Sequence, residues 1–191
     1  MKKLYAVVFA LMVLISVALS AAALESKTIN RQSGLSAYAS WSEMTTDGFA
    51  DTYLNVAETY DGTDIYISVC TSDSSGNYSC KWGYKFTTDN VFEMDGKLNS
   101  ASLSAVQVDL YDWYSYTPEP TTIQAQWTGV GDTSKGSYKS ISKYGDYISK
   151  YSDSSTYREA TATGTRDGQD LGASAYAGLV KFKSAYMYME K

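Results

Sequence analysis

Leu35-Ser36-Ala37-Tyr38-Ala39-Ser40-Trp41-Ser42 is the stretch on which the fold turns. Leu35, Ala37, Ala39 and Trp41 fall on one side of it, and Ser36, Tyr38, Ser40 and Ser42 on the other. Successive side chains of a strand point to opposite faces, so this alternation reads as a half-buried strand. Thr45-Thr46-Asp47-Gly48 breaks it, and residues 50–59 resume with Leu54 and Val56 against Tyr53 and Asn55. Asp61-Gly62 is a hairpin-type turn. Beyond it, Ile65, Ile67 and Val69 oppose Tyr66, Ser68 and Cys70, and a partner strand runs from Tyr78 to Phe86.

The pattern continues toward the C-terminus. A short strand is expected near Val91–Met94, between Thr87-Thr88-Asp89-Asn90 and Asp95-Gly96. In residues 101–111 the apolar face switches from Leu103 and Ala105 to Val106, Val108 and Leu110, which one inserted residue, a β-bulge, explains. Residues 114–120 hold both prolines and read as a connection, and Ile123, Ala125 and Trp127 then alternate with Gln124 and Gln126. Gly129, Gly131 and Gly136 open a region expected to be a loop to about residue 153, though over 133–156 a short helix fits the tyrosine spacing as well. Residues 157–165 set Ala160 and Ala162 against Glu159, Thr161 and Thr163. After Asp167-Gly168, residues 175–189 close the chain, with Val180 and Phe182 opposing Lys181 and Lys183.

No stretch beyond the N-terminal run keeps a 3.6-residue period over three turns. Short strands with turn residues between them indicate a sandwich or barrel. We therefore expect a single antiparallel β-sandwich of about eight or nine strands over residues 35–191, after a polar lead-in at 24–34. A transmembrane β-barrel needs apolar outward positions, and here they are Ser, Thr, Gln and Lys.

The N-terminus predicts export. Met1-Lys2-Lys3 is followed by a short apolar run, Leu4 to Leu19, and then by Ser20-Ala21-Ala22-Ala23, the layout of a cleaved signal peptide over residues 1–23. Cleavage would remove two lysines and no acid, taking the formal net charge from −5 to −7. That acidity argues against nucleic acid and against an anionic membrane surface as partners, and no second apolar stretch long enough to insert follows. The charge is uneven: residues 32–80 hold seven acids and no base, whereas residues 135–158 hold five bases and two acids.

Histidine is absent, which removes Ser-His-Asp and Cys-His catalysis, His-ligated zinc and an imidazole pH switch. Cys70 and Cys80, the two cysteines, flank a turn-rich segment and are expected to pair across a hairpin in an oxidising compartment. Asp61 with Asp64, and Asp167 with Asp170, offer carboxylates in turns where calcium could sit, but Asp and Gly in turns are expected for conformational reasons alone. No metal or cofactor is implied. Asn77-Tyr78-Ser79 is a glycosylation sequon at the hairpin tip.

The chain has 18 tyrosines and four tryptophans. Trp41 and Trp127 lie on apolar strand faces and are expected in the core. Tyr111, Trp113, Tyr114 and Tyr116 crowd a strand end and loop, and Tyr144, Tyr147 and Tyr151 line the 138–151 region. Flat rings with polar edges suit sugar faces and protein contacts alike, so these seven are the candidate binding residues. The leading expectation is a secreted or envelope-associated, non-catalytic module binding a cell-surface polysaccharide or protein. A secreted carbohydrate hydrolase using two carboxylates, and a self-associating structural envelope protein, are the alternatives.

Overall fold

The computed structural model describes residues 26–46, 48–112 and 117–190; the expected signal peptide lies outside them. Eleven strands form, and no helix is present among the described residues. They are β1 (Ser26–Thr45), β2 (Gly48–Thr59), β3 (Gly62–Asp73), β4 (Tyr78–Thr87), β5 (Phe92–Met94) and β6 (Ser100–Asp112), then β7 (Glu119–Gly129), β8 (Ser134–Tyr144), β9 (Tyr147–Arg166), β10 (Gln169–Ala173) and β11 (Tyr176–Glu190). The antiparallel all-β class is as expected. Nine strands match the alternation read from the sequence; β8 and β10 are additional.

Strand order is β10-β9-β11-β1-β2-β3-β4-β6-β5, with β7 pairing both β6 and β9, and β8 pairing β9. Pairing therefore returns on itself through β1, β2, β3, β4, β6, β7, β9 and β11. The β4–β6 link in that circuit consists of two register pairs, Lys81 with Asp112 and Trp82 with Tyr111, and β5, β8 and β10 each pair with one strand only.

Turn chemistry sets the registers. The β2–β3 hairpin pairs Thr59 with Gly62, and every partner from there to Gly48 and Asp73 follows without a slip. At the β9–β10 turn Arg166 pairs with Gln169, and the two residues between, Asp167 (φ 53°) and Gly168 (φ 80°), are both left-handed. That is the two-residue hairpin geometry that Asp-Gly accommodates at least cost. The bulge in β6 falls where the apolar face switches: Leu103 pairs with Ala125 but Val106 with Ile123, so one extra residue sits in β6. Leu103, Val106, Val108 and Leu110 consequently all reach the core.

Chain contacts divide the described residues into two units, one of residues 26–31, 138–152 and 185–190, the other of residues 32–137 and 153–184. The second unit holds the buried core, built from alternate positions of its strands: Ala37, Ala39 and Trp41 of β1, Leu54 and Val56 of β2, Ile65 and Ile67 of β3, and Ile123, Ala125 and Trp127 of β7. Thr122, Gln124, Gln126 and Thr128 take the exposed positions of β7.

Four expectations are corrected. Residues 133–156 are neither loop nor helix but most of a hairpin, β8 and β9, turning at Gly145 and Asp146. The polar lead-in is strand from Ser26 onward. In β11 the buried positions are Ala177 and Leu179, so Val180 and Phe182 are only half-buried on the other face. Pro120 belongs to β7, opposite Asp109, rather than to the connection before it.

Cys70 and Cys80 are register partners in β3 and β4 and form a disulfide with Cα atoms 4.0 Å apart. The bond fits an oxidising compartment, and among the described residues no helix is long and apolar enough to cross a membrane. The pair spans ten residues, and closing so small a loop restricts the unfolded chain by about 2–3 kcal/mol. The double variant Cys70→Ala/Cys80→Ala should lose that much in a denaturant titration. An unchanged midpoint would show that the ladder alone holds the hairpin.

Candidate functional site

The alternation that sends Ala37, Ala39 and Trp41 inward sends Tyr38 outward, and the same holds for Tyr53 of β2, Tyr66 of β3, and Trp82 and Tyr84 of β4. Register brings these side chains onto one face of the larger unit. In one cross-strand row Tyr38 opposes Asn55, Asn55 opposes Tyr66, and Tyr66 opposes Tyr84. In the adjacent row Ser40 opposes Tyr53, Tyr53 opposes Ser68, Ser68 opposes Trp82, and Trp82 opposes Tyr111. Rings thus stagger with Ser40, Asn55 and Ser68.

The rings touch edge to face or at a tilt. Tyr38 and Tyr176 of β11 have centroids 5.3 Å apart, Tyr53 and Tyr66 6.2 Å, and Trp82 and Tyr111 6.3 Å. Tyr176 (59%), Tyr84 (58%), Tyr66 (38%) and Tyr53 (37%) keep large fractions of their surface in water, too much for a packed core and enough for contact.

Polar side chains frame the rings. The Tyr38 hydroxyl donates to the Tyr176 hydroxyl at 3.2 Å, and the Tyr84 hydroxyl donates to the Asp64 carboxylate. Ser36 donates to Asn55 Oδ1 at 3.1 Å and Ser42 to Asp51 Oδ1 at 2.6 Å. Gly178 of β11 lies beneath: a Cβ there would come within 2.5 Å of the Tyr38 hydroxyl and 2.6 Å of the Tyr157 ring. Only glycine lets both rings lie against that backbone.

These contacts keep the phenols neutral. Burial, followed by hydrogen bonds with Tyr157 and Tyr176, pushes the Tyr38 hydroxyl far above the ordinary tyrosine range. Burial and then the neighbouring Tyr66 raise Tyr53, and the hydrogen bond to Asp64 raises Tyr84. A pKa raised in the fold makes stability complete below the unfolded value, about 10, and lost as pH rises through the folded one. Melting temperature should therefore fall as pH passes 10, and phenolate absorbance should show a set of tyrosines that ionise only on unfolding. A titration in which every tyrosine ionises near 10 in the folded protein would contradict this. No protein-family model, curated protein or solved structure matches the chain.

Of the residues singled out from the sequence, Tyr111 joins this face through Trp82. Trp113, Tyr114 and Tyr116 lie outside the described residues. Tyr144, Tyr147 and Tyr151 belong to the smaller unit, where Tyr147 stacks on Tyr188 at 5.7 Å and Tyr151 lies 6.2 Å from Tyr138. Hydrogen bonding to Glu190 raises the Tyr147 hydroxyl. Tyr38, Tyr53, Tyr66, Trp82, Tyr84 and Tyr176 were not singled out, although the two-residue β2–β3 turn is the signal that sets Tyr53 diagonally beside Tyr66.

Three of the four carboxylates proposed for turns are bonded to the chain itself. Asp64 accepts from Tyr84, Asp167 from the Thr122 amide at 2.7 Å, and Asp170 from the Gly172 amide at 2.9 Å. Among the described residues no three His, Cys, Asp or Glu side chains cluster as metal ligands. Asp73, held by the Asn77 side chain first, and Asp95, held by the Lys97 amide first, sit below the ordinary carboxylate range. A glycosidase acid needs the opposite shift.

Proposed function

We propose that the protein is an exported, non-catalytic binding module that holds a polysaccharide across the tyrosine face of β11, β1, β2, β3, β4 and β6. The observation that carries this reading is the staggered set of Tyr176, Tyr38, Tyr53, Tyr66, Tyr84 and Trp82 on one sheet face, partly in water and braced edge-on or at a tilt by neighbouring rings. A rigid ring loses little entropy on contact, and its apolar face with a polar edge matches a sugar, whose ring carbons are apolar and whose rim is hydroxyl. Asn55, Asp51 and Asp64 stand beside the rings with acceptors for those hydroxyls. Asp51 and Asp64 share this face, and the stretch from residue 32 to residue 80 that supplies Tyr38, Tyr53 and Tyr66 holds no base, which favours a neutral chain over an acidic one.

The test is depletion of the purified protein from solution by a panel of insoluble neutral polysaccharides. Specific depletion with no release of soluble sugar supports the module. Depletion with sugar release replaces it by a hydrolase. No depletion, with concentration-dependent growth in light scattering, replaces it by self-assembly through the tyrosine surfaces.

A further inference from the structure

Away from the tyrosine face, the larger unit carries a cleft of about 650 Å3 between the Gly96–Leu98 turn, the start of β8, the 154–156 stretch of β9 and the middle of β11. Lys97, Lys135, Lys181 and Lys183 line it, with five serine and threonine hydroxyls and no aspartate or glutamate. This is unusual in a chain with 21 acids against 16 bases, where a random patch would be acidic. Lys181 and Lys183 are two apart on β11 and so project from one face of that strand. None of the four lysines takes part in either ion pair found among the described residues. Ammonium groups converging on a concavity focus a positive potential there, with Asp95 offsetting part of the charge of Lys97.

The cleft wall is held in shape before any ligand arrives. Arg158 donates through Nε to the Gly131 carbonyl at 3.0 Å and through Nη1 to Asn99 Oδ1 at 2.6 Å, tying the 131–136 and 96–99 segments together. Leu98 is 1% exposed and takes a left-handed conformation (φ 62°), which its side chain makes costly. Its amide bonds to the Asp95 carbonyl at 2.8 Å, so the turn presents Lys97 at the cleft rim. Strain held in place by burial and hydrogen bonds is a mark of a pre-shaped site.

We infer that this cleft is a second binding site, specific for an acidic polysaccharide, whose carboxylate or sulfate groups pair with the four lysines while its hydroxyls bond the serine and threonine rim. The lining has no aromatic ring on which a base could stack, which separates it from a single-stranded nucleic-acid groove. Four charges in an acidic protein suit a chain with one charge per sugar or fewer better than the dense phosphates of a duplex. The site is independent of the tyrosine face in residues and in ligand charge.

Affinity of the purified protein for soluble polygalacturonate and for κ-carrageenan, which carries one sulfate per disaccharide, would be measured at low and high salt, with uncharged dextran and duplex DNA beside them. The expected result is binding to one or both acidic polysaccharides, weakened by salt, with none to dextran and weaker binding to DNA. Which of the two binds more tightly identifies carboxylate or sulfate as the recognised group. Lys181→Gln/Lys183→Gln should weaken binding about tenfold with melting temperature unchanged, and Lys181→Arg/Lys183→Arg should restore it. Tyr53→Ala/Tyr66→Ala should leave it intact, which separates failure of this site from failure of the neutral one. Equal binding by the glutamine variant, tighter binding to DNA, or no binding to either polyanionic polysaccharide would overturn the inference.

Discussion

Replacing Trp127 by alanine should remove roughly 3–5 kcal/mol of stability, a large part of the 5–15 kcal/mol typical of a folded domain. Trp127 is 1% exposed near the C-terminal end of β7, with the Phe92 ring edge-on at 6.3 Å and 84°. Its indole N–H donates to the Tyr38 carbonyl at 3.0 Å, tying β7 to β1 through the core. Alanine would leave a cavity and strip that carbonyl of its side-chain donor, and both losses count against the fold. Trp41 gives the internal control. It is 0% exposed, yet its indole N–H has no partner among the described residues. Phenylalanine at 41 removes a donor already desolvated for no return, so it should cost less than phenylalanine at 127 in denaturant titrations. Equal costs would show that the bond to Tyr38 contributes nothing net.

Where one face is buried and the other wet, the sequence states the strand plainly, as Ala37, Ala39 and Trp41 against Tyr38 and Ser40 do. The bulge in β6 was legible for the same reason: an extra residue reverses the parity of every apolar residue after it. β8 was not legible, because apart from a half-buried Ser140 every residue from Ser134 to Tyr144 is exposed and neither face is marked as inside. Strand β10 offers one buried residue, Leu171, too little for a period. In β11 four successive small or apolar residues, Ala177 to Val180, hide the parity, and only packing shows that Ala177 and Leu179 are inside. The site failed for a different reason. Tyr111, Trp113, Tyr114 and Tyr116 are neighbours in sequence and so were visible as a group, whereas Tyr38, Tyr53, Tyr66, Tyr84 and Tyr176 meet only through strand register across 138 positions of chain.

That dependence on register makes the second large effect specific. Tyr53→Ala/Tyr66→Ala should weaken polysaccharide binding by roughly 30- to 100-fold, the size expected when two central aromatic anchors are lost. Both rings are more than a third exposed, so the fold should lose only about 1–2 kcal/mol, mostly their mutual edge contact and partial burial. The ratio of the two losses is the discriminating quantity, because packing residues lose stability first and contact residues lose binding first. Tyr53→Phe/Tyr66→Phe keeps both ring faces and removes both hydroxyls. Retained binding in that variant would assign the affinity to stacking against sugar carbons, and binding lost to the same degree as in the alanine pair would assign it to hydrogen bonds from the phenols. A double alanine variant that binds as well as the parent would return these tyrosines to the role of strand formers, and the tyrosine face would have no ligand.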